Sequence, residues 1–153
     1  MKLVGKQGLS GVLEVVMWVL FFAAIALTVA LPWIIKWMMQ FNNNPAFWQP
    51  RYYVTLTASG LMSMLMLWQA RKILHNANNG TVFSLQTVRH LRTLGFEMLF
   101  LSLFYVVMLF CGMVKFSVGI IALVFALSGM MVLVFSGLFQ QAVDYKQEND
   151  MTI

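Results

Sequence analysis

Charge is what this sequence has least of. Only 10% of its 153 residues are Asp, Glu, Lys or Arg, against about 25% in ordinary soluble domains. Hydrophobic residues make up 61%. Apolar runs recur at the length of about 20 residues that a helix needs to cross a ~30 Å hydrocarbon layer. A soluble fold of this size could not hide so many apolar helices, so the chain reads as an integral membrane protein. Acidic residues are the scarcer sign, five against ten Lys+Arg, for a net charge of +5. The basic residues sit between apolar runs, where topology and anionic lipid headgroups account for them. No basic helical face or RNA-binding signature stands out, which argues against direct nucleic-acid binding. Cysteine is nearly absent: Cys111 alone permits no intrachain disulfide, and inside its apolar run it reads as a small apolar residue.

Reaction chemistry is missing as well. There is no Gly-rich phosphate loop, H-E-x-x-H or G-x-S-x-G. His75 and His90 have no cysteine or carboxylate at metal-ligand spacing. Met62, Met64 and Met66 invite a copper(I) reading because thioethers are soft ligands. On a helix only Met62 and Met66 share a face, and with 13 methionines in the chain packing filler is the better account. The expectation is no enzyme, no cofactor and no metal.

What is present is organised around a basic interval, residues 71–97, with two apolar segments on either side. Residues 12–35 form the first predicted span. A cleaved signal peptide competes through Ala24-Ile25-Ala26, but the apolar run continues through Pro32 and Trp33 to Ile35, which favours a retained anchor. Residues 36–53 read as a loop, because Asn42-Asn43-Asn44-Pro45 and Pro50 break regular structure. Trp33, Trp37, Phe47, Trp48, Tyr52 and Tyr53 gather there like an aromatic belt at the membrane boundary. Residues 54–74 form the second span, with Ala58/Met62 and Ser59/Ser63 spaced four apart for close helix approach. Residues 96–114 and 118–139 form spans three and four, a tight hairpin around Lys115, Phe116 and Ser117. Gly119, Ala122, Ala126, Ser128 and Gly129 give the last span a small-residue face. Residues 140–153 form a polar tail that begins as a continuation of the fourth helix.

Between spans two and three, Ser84 reads as an N-cap, and Phe83 is placed to staple onto Val88. Leu85, Val88, Leu91 and Leu94 complete a short amphipathic interfacial helix over residues 84–94, with Gln86, Arg89 and His90 toward water or headgroups. Gly95 marks a bend or a close helix contact. The predicted fold is all-α, four transmembrane helices as two hairpins in a single domain over residues 1–153.

Positive charge in short loops sets orientation. With both termini inside, Lys2, Lys6, Arg71, Lys72, Arg89, Arg92 and Lys146 are cytoplasmic, and Lys36, Arg51 and Lys115 lie outside. The expected location is the cell (inner) membrane. Asn79-Gly80-Thr81 matches a glycosylation pattern, but this topology keeps it inside.

Carboxylates near membrane depth are costly and find partners, which singles out Glu14 and Glu97. The expected interhelical charge cluster is Glu14, Arg71, Arg92 and Glu97, with Glu97 on Arg92 or Arg71 and Glu14 on Arg71 or Lys72. A candidate partner surface comprises Phe83, Arg89, Arg92, Glu148 and Asp150, with the acidic tail able to meet the basic connection. The function expected is a non-enzymatic interaction or regulatory module. The competing class is a proton-coupled transporter or channel-like oligomer using Glu14 or Glu97. Partners in view are the lipid bilayer, a cytosolic protein and a second copy of the chain.

Two stretches resemble a bacterial family of small four-helix membrane proteins, domain of unknown function 2975. The first is Phe83, Ser84, Val88, Leu91, Arg92, Leu94 and Gly95. The second closes the chain with Phe139, Ala142, Tyr145, Glu148, Asp150, Thr152 and Ile153. Val82, Thr87, Ala142 and Tyr145 depart from the proline, asparagine, glycine and leucine usual there. The resemblance implies no activity. Its members are often encoded beside small helix-turn-helix regulators, which implies a cytosolic regulator of that kind as a partner.

Overall fold

A computed structural model describes residues 9–42, 50–112 and 114–151. These form four helices: α1 (Leu9–Asn42), α2 (Pro50–Asn78), α3 (Leu85–Phe110) and α4 (Ser117–Met151). Three stretches are long and apolar enough to cross a membrane, Gly11–Trp37, Leu85–Phe110 and Ser117–Asn149. This is the helical composition of a membrane protein. At 29 residues, α2 would extend about 43 Å, which is sufficient length. Its serines, threonines, Gln69, Arg71 and Lys72 dilute the apolar content that the other three retain.

Most helix ends depart from expectation toward longer helices; the exception is α3, which stops at Phe110 instead of the expected 114. Residues 36–42 continue α1 and residues 50–53 open α2, so the predicted 36–53 loop shrinks from both sides. Proline at the first helical position loses no hydrogen bond, which is why Pro50 starts a helix instead of breaking one. Phe47 and Trp48 lie outside the described residues. Trp33 and Trp37 are strongly exposed, at 70% and 61%, as ring anchors at a membrane boundary would be.

The predicted interfacial helix over residues 84–94 is not a separate element. Ser84, with φ −134° and ψ 150°, accepts a hydrogen bond from the Thr87 amide and caps a helix that runs unbroken to Phe110. Gly95 is therefore a contact and not a bend. A Cβ there would lie 2.8 Å from Leu133 and 3.1 Å from the Gly129 carbonyl oxygen; reciprocally, one on Gly129 would lie 3.0 Å from the Gly95 oxygen. Glycine in a helix costs about 1 kcal/mol relative to alanine, and here the packing of α4 offsets it.

The same seam extends along both helices. Val88, Gly95 and Ser102 on α3, and Ala122, Gly129, Ser136 and Val143 on α4, are all buried and recur at seven-residue steps. A seven-residue repeat keeps one face of each helix toward its partner, and small side chains let the backbones close in. Ser102 donates a buried 2.7 Å hydrogen bond to the Ala122 carbonyl, and Phe83 stacks on Phe139 at 5.6 Å. The hairpin turns at 111–116. Cys111 is the exposed C-cap of α3 rather than an interior apolar residue, and Gly112 takes the left-handed φ of 66° that the reversal requires.

Each helix packs antiparallel against its neighbour in sequence, and among the described residues α1 touches α2 alone. The four form a row, not a closed bundle. The chain exposes 10603 Å², where a compact soluble protein of this size would expose about 7,900 Å². Large apolar side chains stand exposed along all four helices, Val19, Leu61, Leu103 and Val134 among them, a surface suited to lipid.

Candidate functional site

The polar chemistry concentrates at one end of the row, on the last three turns of α2. An α-helix presents residues three and four apart on one face, and α2 uses this to serve both neighbours. Arg71, His75 and Asn78 turn toward α1, while Gln69 and Asn76 turn toward α3.

On the α1 side, Glu14 is held by two α2 side chains. His75 Nδ1 lies 2.9 Å from Glu14 Oε1, and Asn78 donates through Nδ2 to Oε2. Among the described residues the His75–Glu14 contact is the one that becomes an ion pair, when the histidine carries its second proton. The expected pairing of Glu14 with Arg71 or Lys72 is therefore corrected. Arg71 sits close enough to attract Glu14 through space, but its guanidinium lies over Trp18, 4.0 Å from the ring centroid, and 5.0 Å from Trp68. Lys72 lies 5.3 Å from the same Trp68 ring. Planar guanidinium groups stack on aromatic faces in a way ammonium groups do not. A cation over a desolvated ring is worth up to about 2 kcal/mol, which suits an arginine whose Nε is buried without a hydrogen-bond partner among the described residues.

On the α3 side, His90 Nδ1 meets Gln69 Oε1 at 2.8 Å, so His90 faces α2 and not water. Gln69 is also within hydrogen-bonding reach of Glu97. The other Glu97 oxygen, Oε2, is buried and has no partner among the described residues. Neither Arg92 nor Arg71 pairs with Glu97, which corrects the second expected pairing: Arg92 is exposed and Arg71 is committed to Trp18 on α1 and Trp68 on its own helix. The four residues of the expected charge cluster are thus divided, Glu14 and Arg71 beside α1, Glu97 against Gln69, and Arg92 on the surface.

A third group ties the α2–α3 connection. Gly80, at φ 76°, ends α2 with a left-handed residue. Thr81 donates to the Asn76 carbonyl at 3.0 Å. Thr87, 2% exposed, accepts from Asn76 Nδ2 at 3.2 Å, lies 3.0 Å from Ser84 Oγ and donates to the Thr81 carbonyl at 3.3 Å. One buried hydroxyl therefore joins the end of α2, the connection and the start of α3. Thr87 stands at the position where the resemblance leads one to expect asparagine, and a polar side chain keeps the knot.

Of the candidate partner surface, Phe83 is half exposed although stacked on Phe139, and Arg89, Arg92 and Glu148 are exposed. The Asp150 side chain lies outside the described residues. Among the described residues no ion pair joins the connection to the tail: Arg89 and Arg92 enter none, and Asp144 meets Gln140 at 3.3 Å within α4. Among the described residues no three His, Cys, Asp or Glu side chains converge as a metal site would need.

The roles of Trp18, Gln69, Asn76, Asn78 and Thr87 went unread in sequence. Glu14 and Asn78 are 64 residues apart, and no local spacing marks such a pair. Uncharged polar side chains at 69, 76 and 78, beside Arg71, Lys72 and His75 at the end of α2, were the available signal.

Residues 15–153 match the model of a protein family described as "Protein of unknown function (DUF2975)". Searches of curated proteins and of solved structures return no match.

Proposed function

The chain belongs to the DUF2975 family, and from that premise we propose that it is a non-enzymatic interaction module of the cell membrane. In this reading α2 is a fourth span. Its hydroxyls support that: Thr57, Ser59 and Ser63 each return a hydrogen bond to the carbonyl four residues earlier, at 2.8, 2.7 and 2.8 Å. Ser59 also accepts from the Tyr105 hydroxyl on α3 at 2.8 Å. Polar groups satisfied within the protein can lie where there is no water.

Both termini and residues 71–95 are then cytoplasmic, from the excess of Lys and Arg at that end. The observation that carries the reading is the contrast at this end between cations packed on aromatic rings and cations that stand exposed. Arg71 is spent on internal packing, whereas Arg89 and Arg92 stand exposed, outside any ion pair among the described residues, on the rigid capped start of α3. Cations held out on a fixed element are what a cytosolic protein with an acidic surface would recognise. Crosslinking in native membranes followed by affinity capture tests this. The intact chain should recover a discrete protein that the Arg89→Ala/Arg92→Ala variant loses. Identical recovery from both would remove the reading.

One observation favours a second class, proton-coupled transport: Glu97 places a buried carboxyl oxygen, without a hydrogen-bond partner among the described residues, within a candidate span. Intramembrane carboxylates mark proton paths in pumps and transporters. Proteoliposomes showing proton flux that disappears in Glu97→Gln or Glu14→Gln would install this reading. Equal flux in wild type, variants and empty vesicles would dismiss it.

A further inference from the structure

On one side of the row, a groove of about 490 Å³ runs between α2 and α3. Met62 and Leu65 line it from α2, and Thr93, Phe96, Phe100 and Leu103 from α3. The wall is almost wholly apolar. Glu97 belongs to it, but its Oε2 is buried and Gln69 is within hydrogen-bonding reach of the carboxyl.

Helical spacing extends both walls toward the polar end of the molecule. Lys72 is seven residues beyond Leu65, and Arg89 is seven residues before Phe96, so each continues the stripe that lines the groove. The Gln69–His90 and Asn76–Thr87 hydrogen bonds join the two helices on either side of this level, so Lys72 and Arg89 stand at the same height on the two walls; the Lys72 ammonium also lies 5.3 Å from the Trp68 ring. Neither forms an ion pair among the described residues. The result is an apolar trough with one cation on each helix at its polar end.

We infer that the α2–α3 groove binds one anionic phospholipid, with its headgroup phosphate between Lys72 and Arg89 and an acyl chain over Leu65, Phe96 and Phe100. Three features select this occupant. The volume is that of a ligand site and exceeds what an ion requires. The lining suits a hydrocarbon chain. The charge at its mouth is complementary to a phosphate, and basic residues at the cytoplasmic boundary attract anionic headgroups. A protein helix would satisfy the apolar wall but would leave the two cations to an acid that only some sequences could place. An anionic phospholipid supplies both parts in one molecule. The site is separate from the proposed protein-docking surface in its dependence on Lys72 and the groove, although Arg89 borders both.

The test is native mass spectrometry of the purified full chain, delipidated and titrated with phosphatidylglycerol or with phosphatidylcholine of the same acyl chains. The wild type should retain one phosphatidylglycerol at least about tenfold more tightly than phosphatidylcholine. Lys72→Gln/Arg89→Gln should remove that preference while leaving phosphatidylcholine retention unchanged, and Thr93→Trp, which fills the groove, should weaken both. Lys36→Gln/Lys115→Gln, at the opposite end, also removes two positive charges, serves as the charge-matched control and should behave as wild type. Equal retention of the two lipids by wild type, or an equal loss in Lys36→Gln/Lys115→Gln, overturns the site by reducing it to net charge. Because a charge variant can fail to fold, a photoactivatable acyl phosphatidylglycerol is also applied to the wild type. Adducts at Leu65, Phe96 or Phe100 support the site. Adducts spread evenly over α1 and α4, or equal displacement of the probe by a free fatty acid, contradict it.

Discussion

Gly95 and Gly129 set how closely α3 and α4 approach, since each would drive a Cβ into the other helix. Gly95→Ala is expected to destabilise the hairpin by about 1–3 kcal/mol, the usual cost of overpacking. A Cβ on Gly137, also within α4, would meet nothing within 4 Å. Gly137→Ala should be neutral or stabilising by up to about 1 kcal/mol. Denaturant titration in detergent micelles separates the two, and equal effects would refute the seam. Arg71 gives a second residue-scale test. Trp18→Leu removes the ring 4.0 Å from its guanidinium while keeping an apolar side chain. It should lower stability by about 0.5–2 kcal/mol, and an additional Arg71→Met should recover part of that loss by removing a cation left without its ring. A Trp18→Leu chain as stable as wild type would show that the stack contributes nothing.

At the scale of elements, local signals were legible and boundary signals were overread. The Ser84 cap could be found because capping depends on residues three apart, and the observed bond joins Ser84 to Thr87. The interfacial helix followed from the cap and the spacing of Leu85, Val88, Leu91 and Leu94, while Gly95 offered two readings, bend or contact. Backbone freedom at a glycine does not by itself end a helix when a neighbouring helix occupies the space that the missing side chain leaves. The pairing of Glu14 with His75 and Asn78 was not legible, since it requires knowing the register of α1 on α2, which Thr28 and Gly60 set several turns away. The continuity of α3 yields a prediction. Solvent accessibility of single cysteines placed from 86 through 100 should follow one 3.6-residue period, without a change of phase at 95. A phase break there would restore two helices.

The α3–α4 hairpin carries a further expectation at the same scale. Ser102→Ala leaves the Ala122 carbonyl without its 2.7 Å donor. Interhelical hydrogen bonds in membranes average about 0.6 kcal/mol, so the loss should be of that order, well below that of Gly95→Ala. Close backbone approach, and not the hydrogen bond, holds this pair together.

For the molecule as a whole, a row of four helices cannot bury its apolar faces on itself, and α1 depends on α2 alone for contact among the described residues. The bilayer, bound lipid or a second copy must cover what remains, and the polar end of α2 then fixes the depth at which the row sits. Everything argued for residues 71–95 rests on that end being cytoplasmic and on α2 crossing the membrane. Single cysteines at Gln40, Gln86 and Lys115, introduced after Cys111→Ser and challenged with a membrane-impermeant maleimide on intact cells, test this most directly. The account predicts labelling at 40 and 115 and protection at 86 until the cells are lysed. Protection at 40 together with 86, or labelling at 86 in intact cells, would contradict it.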